Sequence, residues 1–312
     1  MPKVSFILPA YKAQFLREAI ASILAQTYTD FELIVGDDCS PQGLKAIVDE
    51  FNDPRLSYYC NETNIGGKDL VAAWNKALSY AKGEWVVCAG DDDVYHHEYL
   101  QEMMSLVGRY PQVDAFHCHM VVIDQFGNWR KMGTPRAEYE CGLEMLYYRG
   151  ILRMDSQRIG DFMYRASKLR RMGGYVNTKR AWCSDAATAI AMSLENGACC
   201  AGKTLYYWRS SEANISSQIG DYANKLQSCC EFYNWLRATV DSFHAQDEFD
   251  VKLLQLIRRD FISGMYGAFS GVLGRLPLLK WVDGIRNAYI PAEIKRRLIA
   301  QRIRAKLRPI WS

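Results

Sequence analysis

Short apolar runs alternate with amphipathic segments through the first third of the chain. The runs predict strands at residues 4–8, 32–35, 56–59 and 84–88. Between the first two, apolar side chains at positions 16, 20, 23 and 24 follow a helical period, and positions 70, 73, 74 and 77 do the same before the fourth. Such alternation predicts an α/β fold with a mainly parallel, Rossmann-like sheet flanked by helices.

Past residue 110 the alternation weakens. We predict strands at 115–124 and 160–165, and a helix at 185–194 that ends at Gly197, a residue suited to the positive φ at helix ends. From about residue 217 the pattern is helical throughout, which predicts a boundary near residue 216 and a helical region over 217–312.

The composition is that of a globular protein with ten cysteines and no CxxC pair, which argues against a zinc knuckle and fits a reducing compartment. The first residues lack the features of a secretory signal peptide, and no apolar run reaches the ~20 residues that cross a bilayer. We therefore expect a cytoplasmic protein.

The formal charge of +3 conceals a basic tail. Residues 291–312 contain seven Lys or Arg and one Glu, so the tail carries +6 and the remainder −3. Ile299, Ile303, Leu307 and Ile310 share one helical stripe among these charges, which suits peripheral binding to an anionic membrane surface, on the inner face of the plasma membrane. The alternative is a helix docked on its own protein. The stretch is too short to favour nucleic acid.

Carboxylates follow two of the predicted strands. Asp37 and Asp38 come after the second strand, and Asp91, Asp92 and Asp93 come after the fourth. Ligands of open α/β sheets bind outside the carboxyl ends of the strands, so these side chains are predicted to share one rim. Adjacent aspartates there need exposure or a cation, and Mg²⁺ or Mn²⁺ is the natural one. The alternative is a solvated acidic turn before a helix.

Four ordered segments resemble the nucleotide-sugar-binding half of family 2 glycosyltransferases of the GT-A fold: VSFILPAY, IASILAQTYTDFELIVGDDCS, NETNIGG and AWNKALSYAKGEWVVCAGDDD. The likeness is strong over residues 3–100 and looser over 160–216. It implies a GT-A domain at 1–216, with a nucleotide-sugar-binding half at 1–100 and an acceptor half at 101–216. The residues that the resemblance assigns to the donor are Pro9, Ala10, Tyr11, Asp37, Asp38, Asn64, Gly66, Lys68 and Asp91.

Within that set the resemblance implies different contacts. Pro9, Ala10 and Tyr11 line the nucleoside pocket, and Asp38 with Asp37 beside it bonds the base or ribose. Asn64 and Gly66 shape the donor loop, and Asn75 faces it from a helix. Lys68 approaches the diphosphate, with a solvated lysine as the alternative.

The family's acidic motif reads Asp-x-Asp-Asp, whereas this chain has Gly90 in place of the first aspartate. Carried over by position, Asp92 and Asp93 belong to the metal site, Asp93 also supports the loop, and Asp91 contacts ribose or substitutes for the lost ligand. Which of the three touches the ion stays open at this stage.

On the acceptor side, Asp185 matches the family's catalytic base downstream of a Gly-Gly-Tyr segment, with a first-turn aspartate on a helix dipole as the alternative. Arg209 pairs with phosphate oxygens or forms a structural ion pair under the pocket. Tyr175 and Trp182 are candidates to stack on acceptor sugars, with core roles as alternatives. Ser184 and Ser211 replace an acid and a histidine that the family pattern contains.

The resemblance implies an inverting enzyme that moves a sugar from a nucleoside-diphosphate sugar, a UDP-sugar first, to a hydroxyl of a glycan or lipid-linked oligosaccharide in bacterial surface polysaccharide synthesis. One alternative is a degenerate domain that binds nucleotide or glycan without turnover. Another is a sugar-nucleotide nucleotidyltransferase, which needs a glycine- and Arg/Lys-rich phosphate loop after the first strand that this sequence lacks. The helical region is expected to pack either on the catalytic domain or on a second subunit, which leaves a homo-oligomer as one of the two alternatives.

Overall fold

The computed structural model describes residues 1–153, 158–211, 222–274, 276–286 and 290–307, with side chains up to residue 304. The strands are β1 (Val4–Ala10), β2 (Phe31–Asp37), β3 (Leu56–Cys60), β4 (Trp85–Cys88), β5 (Val94–Tyr95), β6 (Ala115–Ile123), β7 (Trp129–Met132), β8 (Tyr139–Glu140), β9 (Met163–Arg165) and β10 (Ala198–Arg209).

Helices cover the sheet and form the C-terminal region. The α-helices are α1 (Leu16–Leu24), α2 (Leu44–Val48), α3 (Leu70–Tyr80), α4 (Tyr99–Arg109), α5 (Gly142–Met145), α6 (Ala166–Arg171), α7 (Ser184–Ser193), α8 (Tyr222–Ser242), α9 (Glu248–Leu273), α10 (Leu278–Ile285) and α11 (Ala292–Leu307). A π-helical turn (Leu146–Ile151) follows α5, and single 3₁₀ turns lie at Ile159–Asp161 and Lys179–Ala181.

The described strands form one sheet in the order β3-β2-β1-β4-β9-β6-β10-β5, with β7 beside β6 and β8 beside β10. The four strands of the first half run parallel, β6 and β10 form a second parallel pair, and β9 joins the two groups in antiparallel contact. This confirms the predicted α/β sheet. Because β1, β2 and β4 are parallel, the residues that follow them lie at the same edge.

The hydrophobic pattern explains this packing. Leu16, Ile20 and Ile23 of α1 are fully buried against the sheet, as their helical spacing predicted. The predicted strand at 160–165 is shorter than expected, because the Asp161 carboxylate accepts a hydrogen bond from the Arg158 N–H, three residues earlier, and stabilises a 3₁₀ turn there. Only Met163–Arg165 remains extended.

The C-terminal helices continue the core of the preceding region. Apolar side chains of α8, α9, α10 and α11 form one buried cluster with Leu143, Leu146, Ala187 and Ile190. The predicted boundary near residue 216 lies outside the described residues. Among the helices that the structure describes, none has both the length and the apolar character to cross a membrane.

Candidate functional site

A cleft of about 920 Å³ opens at the carboxyl ends of β1, β2 and β4. Pro9, Ala10 and Tyr11 line it, as do Asp38 and the aspartates at positions 91–93. Asp38 and the three aspartates after β4, predicted from separate strands, therefore share one cavity. This is the position at which open α/β sheets bind ligands.

Asp38 holds the loop that follows β3. Its Oδ1 accepts from Asn61 Nδ2 at 2.9 Å and from the Ile65 N–H at 2.8 Å, and its Oδ2 accepts from the Gly66 N–H at 2.6 Å. A carboxylate has about four lone-pair positions, so roughly one remains for a ligand. Asp38 thus shapes this side of the cleft and still faces it.

Asn64 and Gly66 complete that loop and also line the cleft. Asn64 Oδ1 accepts from the Gly67 N–H at 2.5 Å, which closes a tight turn. A Cβ at Gly66 would lie 2.9 Å from Asp38 Oδ2, closer than real side chains approach. The loop can approach the carboxylate because position 66 has no side chain.

Two predicted donor residues lie outside the lining of the cleft. Asp37 supports the loop after β2, since its oxygens accept from the Ser40 N–H at 2.8 Å and from Tyr58 Oη at 2.7 Å. Lys68 is exposed at the surface. Asn75 also has a structural contact, because its Oδ1 accepts from the Tyr175 N–H at 2.9 Å.

Asp91 and Asp92 bracket the ammonium group of Lys12. Lys12 Nζ lies 3.2 Å from Asp91 Oδ1 and also bonds Asp92 Oδ2. Asp91 Oδ2 accepts from the backbone N–H groups of Tyr11 and Lys12 at 2.9 and 2.8 Å, so this carboxylate fixes the segment that follows β1. All three charged side chains line the cleft.

Burial and the neighbouring opposite charges shift the pKa values of Lys12 and Asp92 in opposite directions. Burial would lower the pKa of Lys12, but Asp91 and Asp92 outweigh that effect and raise it. The pKa of Asp92 is raised by burial and by the Asp91 charge, while Lys12 opposes the change. The pair of carboxylates therefore needs a nearby cation to remain ionised at low cost.

Asp93 also lines the cleft, but its carboxylate is bonded to the protein. Its Oδ2 accepts from Tyr206 Oη and its Oδ1 from the Arg209 N–H at 3.0 Å, so each oxygen already has a partner within the protein. Burial, with the Asp92 charge, raises its pKa to about 7. These bonds match the loop-supporting role predicted for Asp93, whereas Asp91 and Asp92 face the Lys12 ammonium group.

Arg209 lies beneath the same loop instead of in the cleft. Its side chain is 2% exposed, Nε donates to the Asp92 carbonyl at 2.8 Å, and Nη2 pairs with Glu18 Oε2 at 2.5 Å. Of the two roles considered for it, the structural ion pair matches these contacts.

Gly90, which stands in place of the first aspartate of the motif, lies in a tightly packed position. A Cβ there would lie 2.6 Å from Asp93 Oδ2, an oxygen already held by Tyr206. We expect Gly90→Ala to lower the free energy of unfolding by about 1–3 kcal/mol, as overpacking does. Chemical denaturation of Gly108→Ala supplies the control, because a Cβ at that helical position meets nothing within 4 Å and should stabilise by roughly 0.5–1 kcal/mol. A Gly90→Ala protein as stable as the wild type would refute the steric explanation.

Asp185 enters the cleft from the first turn of α7, after a strained segment. Arg180, Ala181 and Cys183 have φ values of 57°, 56° and 78°, which cost about 1–3 kcal/mol each for residues other than glycine. Asp185 is partly exposed, and its Oδ2 lies 3.5 Å from Arg149 Nη2. Backbone strain of this kind is concentrated at functional sites, where the fold holds particular side chains in fixed positions.

The two predicted sugar-stacking residues have different surroundings. Trp182 lines the cleft, and Lys225 Nζ lies 4.6 Å from its ring centroid. Tyr175 is buried behind the cleft wall and packs edge-on against Trp74, with ring centroids 5.7 Å apart. Of the two roles considered for Tyr175, a core position rather than a surface for sugar stacking matches its surroundings.

Sequence reasoning missed five basic side chains that line the cleft: Lys12, Arg149, Arg153, Arg158 and Arg180. Lys12 follows the Pro-Ala-Tyr segment directly, so the predicted position of that segment in the nucleoside pocket could have indicated that Lys12 lines the cleft as well. The first three arginines lie within ten residues of each other, in a stretch without a regular hydrophobic period. The period is lost there because the chain forms a π-helical turn, in which the Leu152 N–H donates to the Tyr147 carbonyl five residues earlier. π turns occur frequently at functional sites.

A divalent cation fits this site only if a bound ligand supplies further coordinating oxygen atoms. Across the described ranges, no three His, Cys, Asp or Glu side chains are grouped so as to hold a metal by themselves. However, Asp91 and Asp92 already hold a cation, the Lys12 ammonium, between them. Mg²⁺ and its relatives typically bind one or two protein carboxylates and complete their shell with substrate phosphates. The donor set is suited to that arrangement.

Comparison with known proteins agrees with this geometry. The family model of Glycosyl transferase family 2 matches residues 5–173. The UDP-Glc:alpha-D-GlcNAc-diphosphoundecaprenol beta-1,3-glucosyltransferase WfgD of Escherichia coli is 35% identical over 105 residues, which are 33% of this chain and 40% of that protein. The chain spans less than two thirds of the length of the curated relatives that it matches first.

Solved structures show the same fold at low identity. The S. aureus protein TarS in complex with UDP-GlcNAc matches with a TM-score of 0.70 and 20% identity, over 94% of this chain and 82% of that one. The mannosyltransferase PcManGT from Pyrobaculum calidifontis, in complex with GDP-Man and Mn²⁺, matches with a TM-score of 0.56 and 16% identity, over 99% and 87% of the two chains.

Proposed function

Because this chain belongs to glycosyl transferase family 2 and has the GT-A fold, we propose that it transfers a sugar from a nucleoside-diphosphate sugar to a hydroxyl group of a glycan or lipid-linked oligosaccharide. The observation that carries the proposal is the shared cleft, in which Asp38, Asp91 and Asp92 meet the predicted base Asp185. A setting in bacterial surface polysaccharide synthesis is supported by the names of the relatives.

The donor site is assigned to the first half of the chain. Pro9, Ala10 and Tyr11 contact the nucleoside, and the loop that Asp38 holds closes over it. UDP is the first candidate nucleotide, because TarS is solved with UDP-GlcNAc and WfgD is named for UDP-Glc. The diphosphate then lies by Lys12, whose ammonium group can donate to its oxygens.

The proposed reaction is a single in-line displacement. Asp185 takes the proton of the acceptor hydroxyl as its oxygen attacks the anomeric carbon. The bond from that carbon to the diphosphate oxygen breaks, and the electron pair leaves with the nucleoside diphosphate. Lys12 offsets the charge that grows on the leaving group. Attack from the opposite face inverts the anomeric configuration.

Asp92, with Asp91 Oδ1, is the pair that would hold Mn²⁺ or Mg²⁺ together with the donor diphosphate. When bound, such an ion supplies positive charge that stabilises the departing diphosphate. The Mn²⁺ in the PcManGT complex supports this assignment.

A donor screen tests the function. Calorimetry with UDP-, GDP- and dTDP-sugars in the presence of Mn²⁺ is expected to show one preferred nucleotide, and transfer from an α-linked donor should give a β-linked product by NMR. An α-linked product would reject the direct displacement. Binding without transfer to any acceptor in a broad panel would favour the degenerate-domain alternative, and absence of nucleotide binding would reject the function itself.

We also propose that α11 contacts an anionic membrane surface at the cytoplasmic face. Ile294 and Leu298 of this helix are buried against the protein, so the helix is docked. Ile299 and Ile303 remain 42% and 54% exposed, and Arg296 is exposed on the same face by helical spacing. Residues Leu307 and Ile310 of the predicted stripe lie outside the described side chains.

Vesicle binding tests this contact with point variants, since deletion of the tail would uncover the core beneath Ile294. Ile299→Ser combined with Ile303→Ser should weaken binding to phosphatidylglycerol vesicles about tenfold or more, because two apolar side chains no longer enter the interface. Phe126→Ser, at a turn residue that is 77% exposed, is the matched control. Equal sedimentation of the double variant and the wild type would reject the membrane contact.

A further inference from the structure

One basic side chain of the cleft, Arg149, contacts the proposed base. Its Nη2 lies 3.5 Å from Asp185 Oδ2, and the two side chains are 5% and 29% exposed. Both residues line the cleft. The ion pair therefore joins a nearly buried cation to a carboxylate that a ligand in the cleft can still reach.

The π-helical turn holds Arg149 against the helix that carries the base. Apolar side chains of this turn and of α7 are buried in one cluster: Leu146, Ile151, Ala187 and Ile190. Asp185 lies in the first turn of the same helix. The cation and the carboxylate are thus attached to two elements that share a close-packed core, so packing fixes the distance between them.

An aromatic ring also supports the guanidinium of Arg149. Its Cζ lies 5.3 Å from the centroid of the Phe162 ring, which is fully buried. A cation at this distance from a ring face is attracted to it. A planar guanidinium that is already held in this way loses little further freedom when it pairs with a carboxylate, and so it is suited to orienting one.

A second carboxylate interacts with Arg149 but carries little charge. Asp161 is fully buried, and burial raises its pKa to about 8, an effect that the Arg149 charge opposes. At neutral pH most Asp161 side chains are therefore protonated. Asp161 thus offsets little of the positive charge that Asp185 faces.

Both oxygens of the Asp185 carboxylate have a partner within the protein. Oδ1 accepts from the Ala186 N–H at 2.7 Å, and Oδ2 pairs with Arg149. A carboxylate has about four lone-pair positions, so roughly two remain open. The carboxylate is therefore oriented through both oxygens and is still able to accept a proton.

We propose that Arg149 is a positioning residue, whose guanidinium holds the Asp185 carboxylate in the orientation from which it takes the proton of the acceptor hydroxyl. The inference rests on the proposed function, in which Asp185 is the base. Without the guanidinium the carboxylate can rotate, and a displacement of about 1 Å at a reacting group can lower a rate about 10²-fold. The effect should therefore appear in kcat and not in donor binding.

Sugar transfer by the full chain, with the donor and acceptor found in the screen, tests this role. Arg149→Ala should lower kcat about 10- to 100-fold with little change in the KM for the donor. Arg149→Lys should lower kcat less, because the charge remains. Added guanidinium ion, at concentrations far below those that unfold the protein, should restore part of the rate of Arg149→Ala by occupying the vacated position beside Asp185.

Arg165→Ala is the matched control. Arg165 also pairs with a carboxylate, Asp114 at 2.6 Å, and lies over an aromatic ring, that of Trp85. It adjoins the first residue of β4, at the edge of the sheet opposite to the cleft. Its loss should leave kcat unchanged, and added guanidinium should not raise the rate.

A double variant separates this role from donor binding. In the Asp185→Asn protein, Arg149→Ala should lower the residual kcat less than about twofold, because the arginine acts through the base. Equal fold-losses in both backgrounds, or a raised donor KM with kcat unchanged, overturn the proposal and assign Arg149 to the donor. A loss that neither guanidinium nor Arg149→Lys lessens indicates a purely structural role and also overturns it. A wild type that transfers no sugar rejects the proposed function, and this inference falls with it.

Discussion

Asp185→Asn is expected to lower kcat for sugar transfer by about 10²–10⁴-fold, the contribution of a positioned general base. The amide cannot take the proton of the acceptor hydroxyl. It can still accept the hydrogen bond from the Ala186 N–H that Asp185 Oδ1 accepts at 2.7 Å, so α7 should begin as before. Donor affinity by calorimetry should therefore change little, and the loss should appear in kcat.

The alternative role of Asp185 gives a different result. An aspartate that only stabilises the first turn of a helix contributes roughly 0.3–1 kcal/mol to stability and nothing to the chemical step. Asp241→Asn, on the exposed face of α8, is the matched control for loss of a helical carboxylate. Transfer by Asp185→Asn at close to the wild-type rate would exclude the base assignment.

Asp92→Asn and Lys12→Met should change the affinity for Mn²⁺ in opposite directions. Loss of the Asp92 charge is expected to weaken binding of Mn²⁺ with nucleotide about 10- to 100-fold, in line with the 1.5–3 kcal/mol of a charged contact. Removal of the Lys12 ammonium frees the same oxygens, so Mn²⁺ alone should bind more tightly. Titration followed by electron paramagnetic resonance of Mn²⁺ measures both.

An exposed pair elsewhere provides the controls. Lys45 and Asp49 form an ion pair on α2 with both side chains more than half exposed. Lys45→Met and Asp49→Asn remove the same charges and should leave Mn²⁺ binding unchanged. If Lys12→Met weakens Mn²⁺ as Asp92→Asn does, then the lysine and the metal do not compete for these carboxylates.

The parallel half of the fold could be predicted because its strands and helices have regular periods. The buried stripe of α1 and the strands that precede Asp38 and Asp91 follow directly from those periods. The meeting of the two acidic groups followed from strand direction alone. The turn at 159–161 could not be predicted in this way, because it depends on a single hydrogen bond from the Arg158 N–H to the Asp161 carboxylate.

Roles of single side chains were harder to predict, since they depend on which face of the loop each residue occupies. Asp92 and Asp93 are adjacent, yet one faces Lys12 and the other is enclosed by Tyr206 and the Arg209 backbone. Tyr175 has the aromatic character of a sugar platform and lies in the core. The four arginines that line the cleft, at positions 149, 153, 158 and 180, lie in irregular structure for which the sequence has no repeating pattern.

The most direct test of the donor site is a crystal structure of the protein with UDP and Mn²⁺, with the ion located by its anomalous scattering. We predict one Mn²⁺ within coordination distance of Asp92 and of the diphosphate, with the uracil against Pro9 and Tyr11. A nucleotide bound away from the cleft between Asp38 and Asp92, or a diphosphate held there with neither Mn²⁺ on Asp92 nor a contact to Lys12, would contradict the proposed site.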